Sequence, residues 1–184
     1  RGLRGLKSIA ASPSHPVLAV TLSATEEGLH DLMTLSLDGS MSRIIATGIT
    51  RAFDWTPDGA SLVVMSSISG GKGGLVEIER IRVLDDRGAF VDPQENGEEI
   101  AYAVVAFSPR LEVLPNGDLL FPSHPANLPA SAGDIGENPR LYRIPANGGP
   151  PVAIPTEPGA LPMDLGYFVP SPDGRRIAVV ESGT

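Results

Sequence analysis

Two histidines and a scatter of carboxylates are the first residues whose types could do chemistry. His30 has Glu26, Glu27 and Asp31 close in sequence, and His124 is followed by Asp134. These are metal-ligand types, but no H-x-x-x-H or H-E-x-x-H spacing joins them. They are read as solvated or capping loop residues, and no metal is expected. Ser123, His124 and Asp134 hold the residue types of a nucleophilic triad. There is no G-x-S-x-G elbow, and a serine adjacent to its histidine is a poor nucleophile–base geometry, so no catalytic residue is assigned. Ser69-Gly70-Gly71-Lys72-Gly73-Gly74 has the glycines of a phosphate cradle. It lacks the four-residue gap and the Ser or Thr after the lysine, and a strand follows it. It reads as a flexible loop. Asp92, Glu95, Glu98 and Glu99 are acidic neighbours without the D-x-[DN]-x-[DN]-G order of a calcium loop. No cofactor is expected.

Whatever these residues do, a repeat must position them. Four times the chain writes a strand, a proline-centred turn and a second strand. The turns are Ser12-Pro13-Ser14-His15-Pro16, Thr56-Pro57-Asp58-Gly59, Leu114-Pro115-Asn116-Gly117 and Ser171-Pro172-Asp173-Gly174. Proline pre-sets φ at the first turn position, Asp or Asn suits the next, and glycine takes the positive φ that follows. The first copy has no glycine, and Pro16 cannot supply positive φ, so that turn must be built differently. The flanking runs, such as Val17-Leu18-Ala19-Val20 and Ile177-Ala178-Val179-Val180, are short and aliphatic, as buried strands are. Behind each of the first three copies lies a more polar, alternating stretch: 32–46, 75–83 and 141–154.

Four antiparallel strands per ~45–55 residues, the most apolar first, is the pattern of a β-propeller blade. The fold class expected is therefore all-β: a partial β-propeller of about three and a half four-stranded antiparallel blades. The blades are placed at 8–48, 51–97 and 104–156, with a half blade at 164–184. Inter-hairpin and inter-blade loops of a propeller share one face. The long segments 23–30, 66–74, 92–100 and 122–139 are expected there. Binding residues, if any, are sought on them: His30, Lys72, His124, Asn127, Asp134 and Glu137. The proline-rich stretch 122–139 is the best single recognition element among them. Phe53 and Trp55 are expected in the core. The inner strands are otherwise nearly all apolar, Asp54 and Glu112 being the main exceptions.

The turn copies also carry a family resemblance. Thr56-Pro57-Asp58-Gly59-Ala60-Ser61-Leu62-Val63-Val64 and Ser171-Pro172-Asp173-Gly174-Arg175-Arg176-Ile177-Ala178-Val179 resemble the S-P-D-G-x-x-I-A-F repeat of TolB-like propellers (PD40, WD40-like). Prolyl-oligopeptidase-type peptidases carry a similar repeat. Leu114-Pro115-Asn116-Gly117-Asp118-Leu119-Leu120 is also similar to NHL and gluconolactonase-like propellers. The Gly-His and Trp-Asp signature of WD40 proper is absent. The TolB-like resemblance implies a non-catalytic bacterial scaffold for protein or peptide binding, in the periplasm or outside the cell. Two alternatives stay open: a propeller gating a serine peptidase or other hydrolase domain, and a metal-dependent lactonase-like propeller.

Composition bounds the reading. Gly and Pro together are about a fifth of the 184 residues, as turn-rich all-β chains require. A net charge of −8 argues against a nucleic-acid partner. The absence of cysteine removes disulfides and thiolate chemistry. No apolar run approaches the ~18 residues of a membrane span. Three and a half blades leave apolar blade faces uncovered. At roughly 400 Å² each, that forfeits on the order of 10 kcal/mol per face. The expected partners are the remaining blades of a longer chain, a second copy closing the ring, or another protein. Arg1 in place of Met, and an end within a blade, favour the first of these.

Overall fold

The computed structural model describes residues 5–23, 30–68, 74–93, 97–105, 110–124, 140–155 and 168–179. Within them every regular element longer than a single turn is a strand, and all pairing is antiparallel. The strands are β1 (Leu6–Ala11), β2 (Val17–Ser23), β3 (His30–Ser36), β4 (Ser42–Trp55), β5 (Ser61–Ser67), β6 (Gly74–Arg82) and β7 (Gly97–Val105). Then follow β8 (Glu112–Val113), β9 (Leu119–Ser123), β10 (Arg140–Ile144), β11 (Val152–Ala153), β12 (Phe168–Pro170) and β13 (Ile177–Val179).

Strands β1 to β7 are joined in sequence order into one sheet, β8 to β11 form a second, and β12 and β13 a third. The seven-stranded sheet is two propeller blades sharing one long strand. In β4, residues Ser42 to Ala46 pair with β3, whereas Ala52 to Trp55 pair with β5. Between them Gly48 takes φ 65°, and its N–H donates to Asp31 Oδ1 at 2.7 Å. Positive φ at a glycine turns the strand from the outside of blade one into the inside of blade two without breaking it.

The proline turns close as their residues predict. Gly59, Gly117 and Gly174 have φ of 68°, 85° and 66°, and each N–H donates to the carbonyl three residues back. The first copy departs as expected: Val17 N–H donates to His15 O at 2.8 Å, a tighter turn centred on Pro16. One segment differs from the expectation. Residues 97–105, divided above between a loop and the start of blade three, are β7, the fourth strand of blade two, paired along β6. Its buried face is Ala101, Ala103 and Val105. Alanines give a weak apolar alternation, and Glu98, Glu99 and Tyr102 beside them read as a polar loop. Residues 83–93 therefore leave the third strand of a blade whose fourth strand is β7, and lie on the turn face, not the long-loop face.

The core sits between blades. Ala10, Val17, Ala19 and Leu32 of blade one pack on Phe53, Trp55, Leu62, Val64 and Ile81 of blade two. Val63, Met65, Ile78 and Ala103 of blade two pack on Leu111, Val113, Leu119 and Phe121 of blade three. Leu114, Leu120 and Leu141 of blade three pack on Phe168 and Ile177 of blade four. Each blade shows one face to its predecessor and the other to its successor, because side chains alternate along a strand. Phe53 and Trp55 are in the core, as expected. The Trp55 indole N–H also donates across the seam to Ala10 O at 3.1 Å.

Candidate functional site

Of the six binding residues drawn from the sequence, Lys72, Asn127, Asp134 and Glu137 lie outside the described residues. His30 opens β3 of blade one, opposite Ser23. His124 follows β9 of blade three; it is buried, and its N–H donates to Val104 O at 2.8 Å. The two histidines thus sit at the long-loop end of two different blades. The Ser123 hydroxyl donates to the His124 main-chain carbonyl at 2.9 Å and accepts from Val104 N–H at 3.1 Å, so it is committed to the backbone. Among the described residues, no three His, Asp or Glu side chains are grouped to hold a metal ion.

Several of the charged groups that the fold brings together lie at the blade seams. Asp54 projects from β4 toward blade three. Its Oδ2 accepts from Val113 N–H at 2.8 Å, across the seam, and its Oδ1 accepts from Trp55 N–H at 2.8 Å. Glu112 occupies the same register position one blade on, since Asp54 pairs with Val63 and Glu112 with Leu120. Arg110 Nε donates to Glu112 Oε1 at 2.6 Å, and its guanidinium lies 5.9 Å from the centre of the Phe168 ring in blade four. Burial pushes the Asp54 carboxyl up to about 6, and the nearby Glu112 charge adds to the rise. The two N–H donors and Arg110 oppose it without cancelling it.

Above Asp54, on the turn face, the seam of blades two and three opens into a cleft of about 640 Å³. Its floor is Val63, Val113, Leu119 and Ile144. Its rim carries Thr56, Asp58, Arg80, Glu98, Asn116 and Asn147. The rim is built from turns. Burial raises the Asp58 carboxyl, but the Thr56 hydroxyl and Ala60 N–H outweigh it and hold Asp58 below the usual carboxylate range. Arg80 pairs with Glu98 at 3.2 Å on the exposed outer side. A second cleft of about 550 Å³ opens on the same face between blades three and four. Beside it buried Asp118 accepts from Ala146 N–H at 2.9 Å, Asn116 Nδ2 at 2.8 Å and Arg143 Nε at 2.7 Å.

Sequence reasoning did not find these clefts. Its only signals were Asn116-Gly117 and Asn147-Gly148-Gly149, which read simply as turns. Their glycines hold positive φ, 85° at both Gly117 and Gly148, and lay bare main chain along the rim.

No family model and no curated protein matches this sequence. Solved structures do. A protein of unknown function from Desulfotomaculum acetoxidans aligns over 97% of this chain and 49% of its own, at 15% identity and a TM-score of 0.52. An oligogalacturonate lyase in complex with manganese aligns over 90% of this chain and 42% of its own, at 14% identity and a TM-score of 0.55. A candidate TolB from Agrobacterium tumefaciens aligns over 75% of this chain and 44% of its own, at 19% identity and a TM-score of 0.47. The chain spans less than half the length of each of these proteins. The likeness to the first two is one of fold. With the strand pairing, it establishes an all-β, propeller-like array of antiparallel blades.

Proposed function

We propose that this chain is a non-catalytic segment of a TolB-like propeller that binds an extended peptide, or a loop of a partner protein, on its turn face. The observation that carries the reading is the 640 Å³ cleft at the seam of blades two and three. An apolar floor ringed by a few polar groups is what a side chain with its flanking backbone needs. The like cleft at the next seam suits a ligand running across blade three. The carboxylates nearest the clefts support binding over acid–base work. Asp54, Asp58 and Asp118 each accept main-chain N–H groups and so serve the scaffold.

Selection from a displayed peptide library, followed by calorimetric titration of the selected peptides, tests the reading. Asn147→Trp fills the cleft mouth from an exposed turn position. It should weaken binding about tenfold or more, ~1.4 kcal/mol, with the melting temperature unchanged. A selection that yields no binder, or only peptides indifferent to Asn147→Trp, refutes it.

A further inference from the structure

On the turn face, the seam of blades one and two is occupied by the chain itself. After β6, residues 83–93 fold across it as a strap. Val83 and Leu84 are fully buried in the core that joins the two blades, and Phe90 packs against that core. Leu84 bridges to Phe90, and Val91 N–H donates to Val83 O at 3.0 Å, so the strap doubles back on itself. Main chain ties it to blade two, where Val83 N–H and Leu84 N–H both donate to Ala60 O at 3.0 Å. Blade one holds its far side. Arg43 Nη1 donates to Val91 O, and a Cβ on Gly88 would stand 2.9 Å from His15 Nδ1. The tip of the strap carries Asp85 and Asp86, and Asp86 pairs with Arg82.

The seam of blades two and three has the same frame without the strap. In blade two Trp55 pairs with Leu62 and Leu62 with Ile81. In blade three Val113 pairs with Leu119 and Leu119 with Ile144, so these three hold the same register positions. They are also the floor of the 640 Å³ cleft. Two residues beyond Ile81 the strap begins at Val83. Two beyond Ile144 stands Ala146, whose N–H is taken by Asp118 Oδ1 at 2.9 Å. Residues 145–151 then lead straight to β11. The cleft is thus the place that the strap fills one seam earlier. Its charge differs, however. Of its lining residues Asp58, Glu98 and Glu99 are acidic and Arg80 is basic, and Arg80 already pairs with Glu98 at 3.2 Å. Asp58 and Glu99 are exposed. Each keeps acceptor capacity beyond the donors it has, the Thr56 hydroxyl and Ala60 N–H on Asp58 and the Tyr102 hydroxyl on Glu99.

We propose that the occupant of this cleft is a turn of a partner protein that carries a large apolar side chain next to a lysine or arginine. The inference rests on the reading of the cleft as a peptide site and adds the chemistry of the peptide. The apolar side chain takes the part of Phe90, over the floor of Val113, Leu119 and Ile144. The cation answers Asp58 and Glu99 at the rim, with its aliphatic stem along the same floor. An acidic turn like that of the strap itself is disfavoured, since its carboxylates would face carboxylates with Arg80 already paired.

Peptides selected from a displayed random library on the full 184-residue chain provide the test. Those that lose affinity on Asn147→Trp should carry a lysine or arginine beside an aromatic or large aliphatic residue. Changing that cation to glutamine should weaken binding about fivefold, and added salt should weaken it as well. On the chain with Asp58→Asn and Glu99→Gln the same change should make little difference, because the groups that the cation answers are gone. Melting temperatures verify that the variants stay folded. Should the double variant unfold, Glu99→Gln alone, at an exposed position, should lessen the effect of the change. Peptides that are sensitive to Asn147→Trp but carry no cation, or whose cation matters equally on both chains, overturn this inference and leave the cleft a peptide site. A selection that yields no peptide sensitive to Asn147→Trp overturns both.

Discussion

Asp54 makes folding stability depend on pH in a direction opposite to that of most carboxylates. Its carboxyl titrates near 6 in the folded chain against 3.8 as a free side chain, chiefly because burial in the seam penalises the charge. The folded state therefore binds this proton more tightly than the unfolded state does. The contribution is fully present below pH 3.8 and is lost as pH rises through about 6. Two pH units at ~1.36 kcal/mol each set the loss at no more than about 3 kcal/mol, a large part of a small domain's total. Asp38, Asp58, Asp85, Asp118 and Asp173 are held low and push the other way, so the raw pH profile mixes both signs. Comparison with Asp54→Asn isolates the term. The amide keeps the shape and one acceptor but points an N–H at the second donor, a pH-independent cost of ~1–3 kcal/mol. Urea unfolding of both proteins from pH 4 to 8 should show the native chain's advantage shrinking by about 2–3 kcal/mol between pH 4 and 7. A difference that stays flat, or that grows with pH, refutes the assignment of a buried, charge-penalised carboxyl to this seam.

Three further outcomes follow from seam and turn geometry. Gly59→Ala forces a side chain into positive φ and into the Ser12 and Ser14 hydroxyls that bridge blades one and two. Gly39→Ala has a similar φ with open space around it. Both lose stability, and the urea midpoint should fall further for Gly59→Ala, by roughly 1–3 kcal/mol more. Asp118→Ala strands Ala146 N–H and a partner of Arg143, at a cost of ~2–4 kcal/mol at pH 7. Burial raises this carboxyl, but its donors outweigh burial and hold it low. The cost should therefore shrink as pH falls below 3.8, measured as a narrowing of the gap between the two melting temperatures in acid. Trp55→Phe keeps most of the ring but deletes the indole bond to Ala10 O, and should cost ~1 kcal/mol by thermal unfolding.

The parts of the fold legible in the sequence were those fixed by local chemistry. Pro57-Asp58-Gly59 and its copies named their turns because each residue has one preferred φ there. The aliphatic runs around them named the inner strands, and the missing glycine at Ser14-His15-Pro16 marked the one turn that differs. β7 was not legible, since the residues it buries are mostly alanine and Glu98, Glu99 and Tyr102 accompany them. Nor was the continuity of β4, where Gly48 looks like a loop glycine until Asp31 is seen holding its N–H. Of the candidate residues, the two described histidines are anchored at loop-facing strand ends of separate blades, and chain distance alone could not have told that.

Asp54 and Glu112 show most clearly where sequence reading stops. Both stand out as charges on apolar inner strands, and such residues invite a catalytic or metal reading. The deciding facts are register and the neighbouring blade. At its register position Asp54 meets the Val113 N–H, an inner-strand donor that carries no ladder bond toward that side. A carboxylate there satisfies main chain that no strand partner reaches. One blade on, Glu112 meets Arg110, and Arg110 in turn lies over the Phe168 ring. One position in the repeat thus serves two seams by two different bonds. Asp54 fastens its seam directly and Glu112 does so through Arg110, and that is why a binding site is sought in the clefts above the seams and not in the carboxylates beneath them.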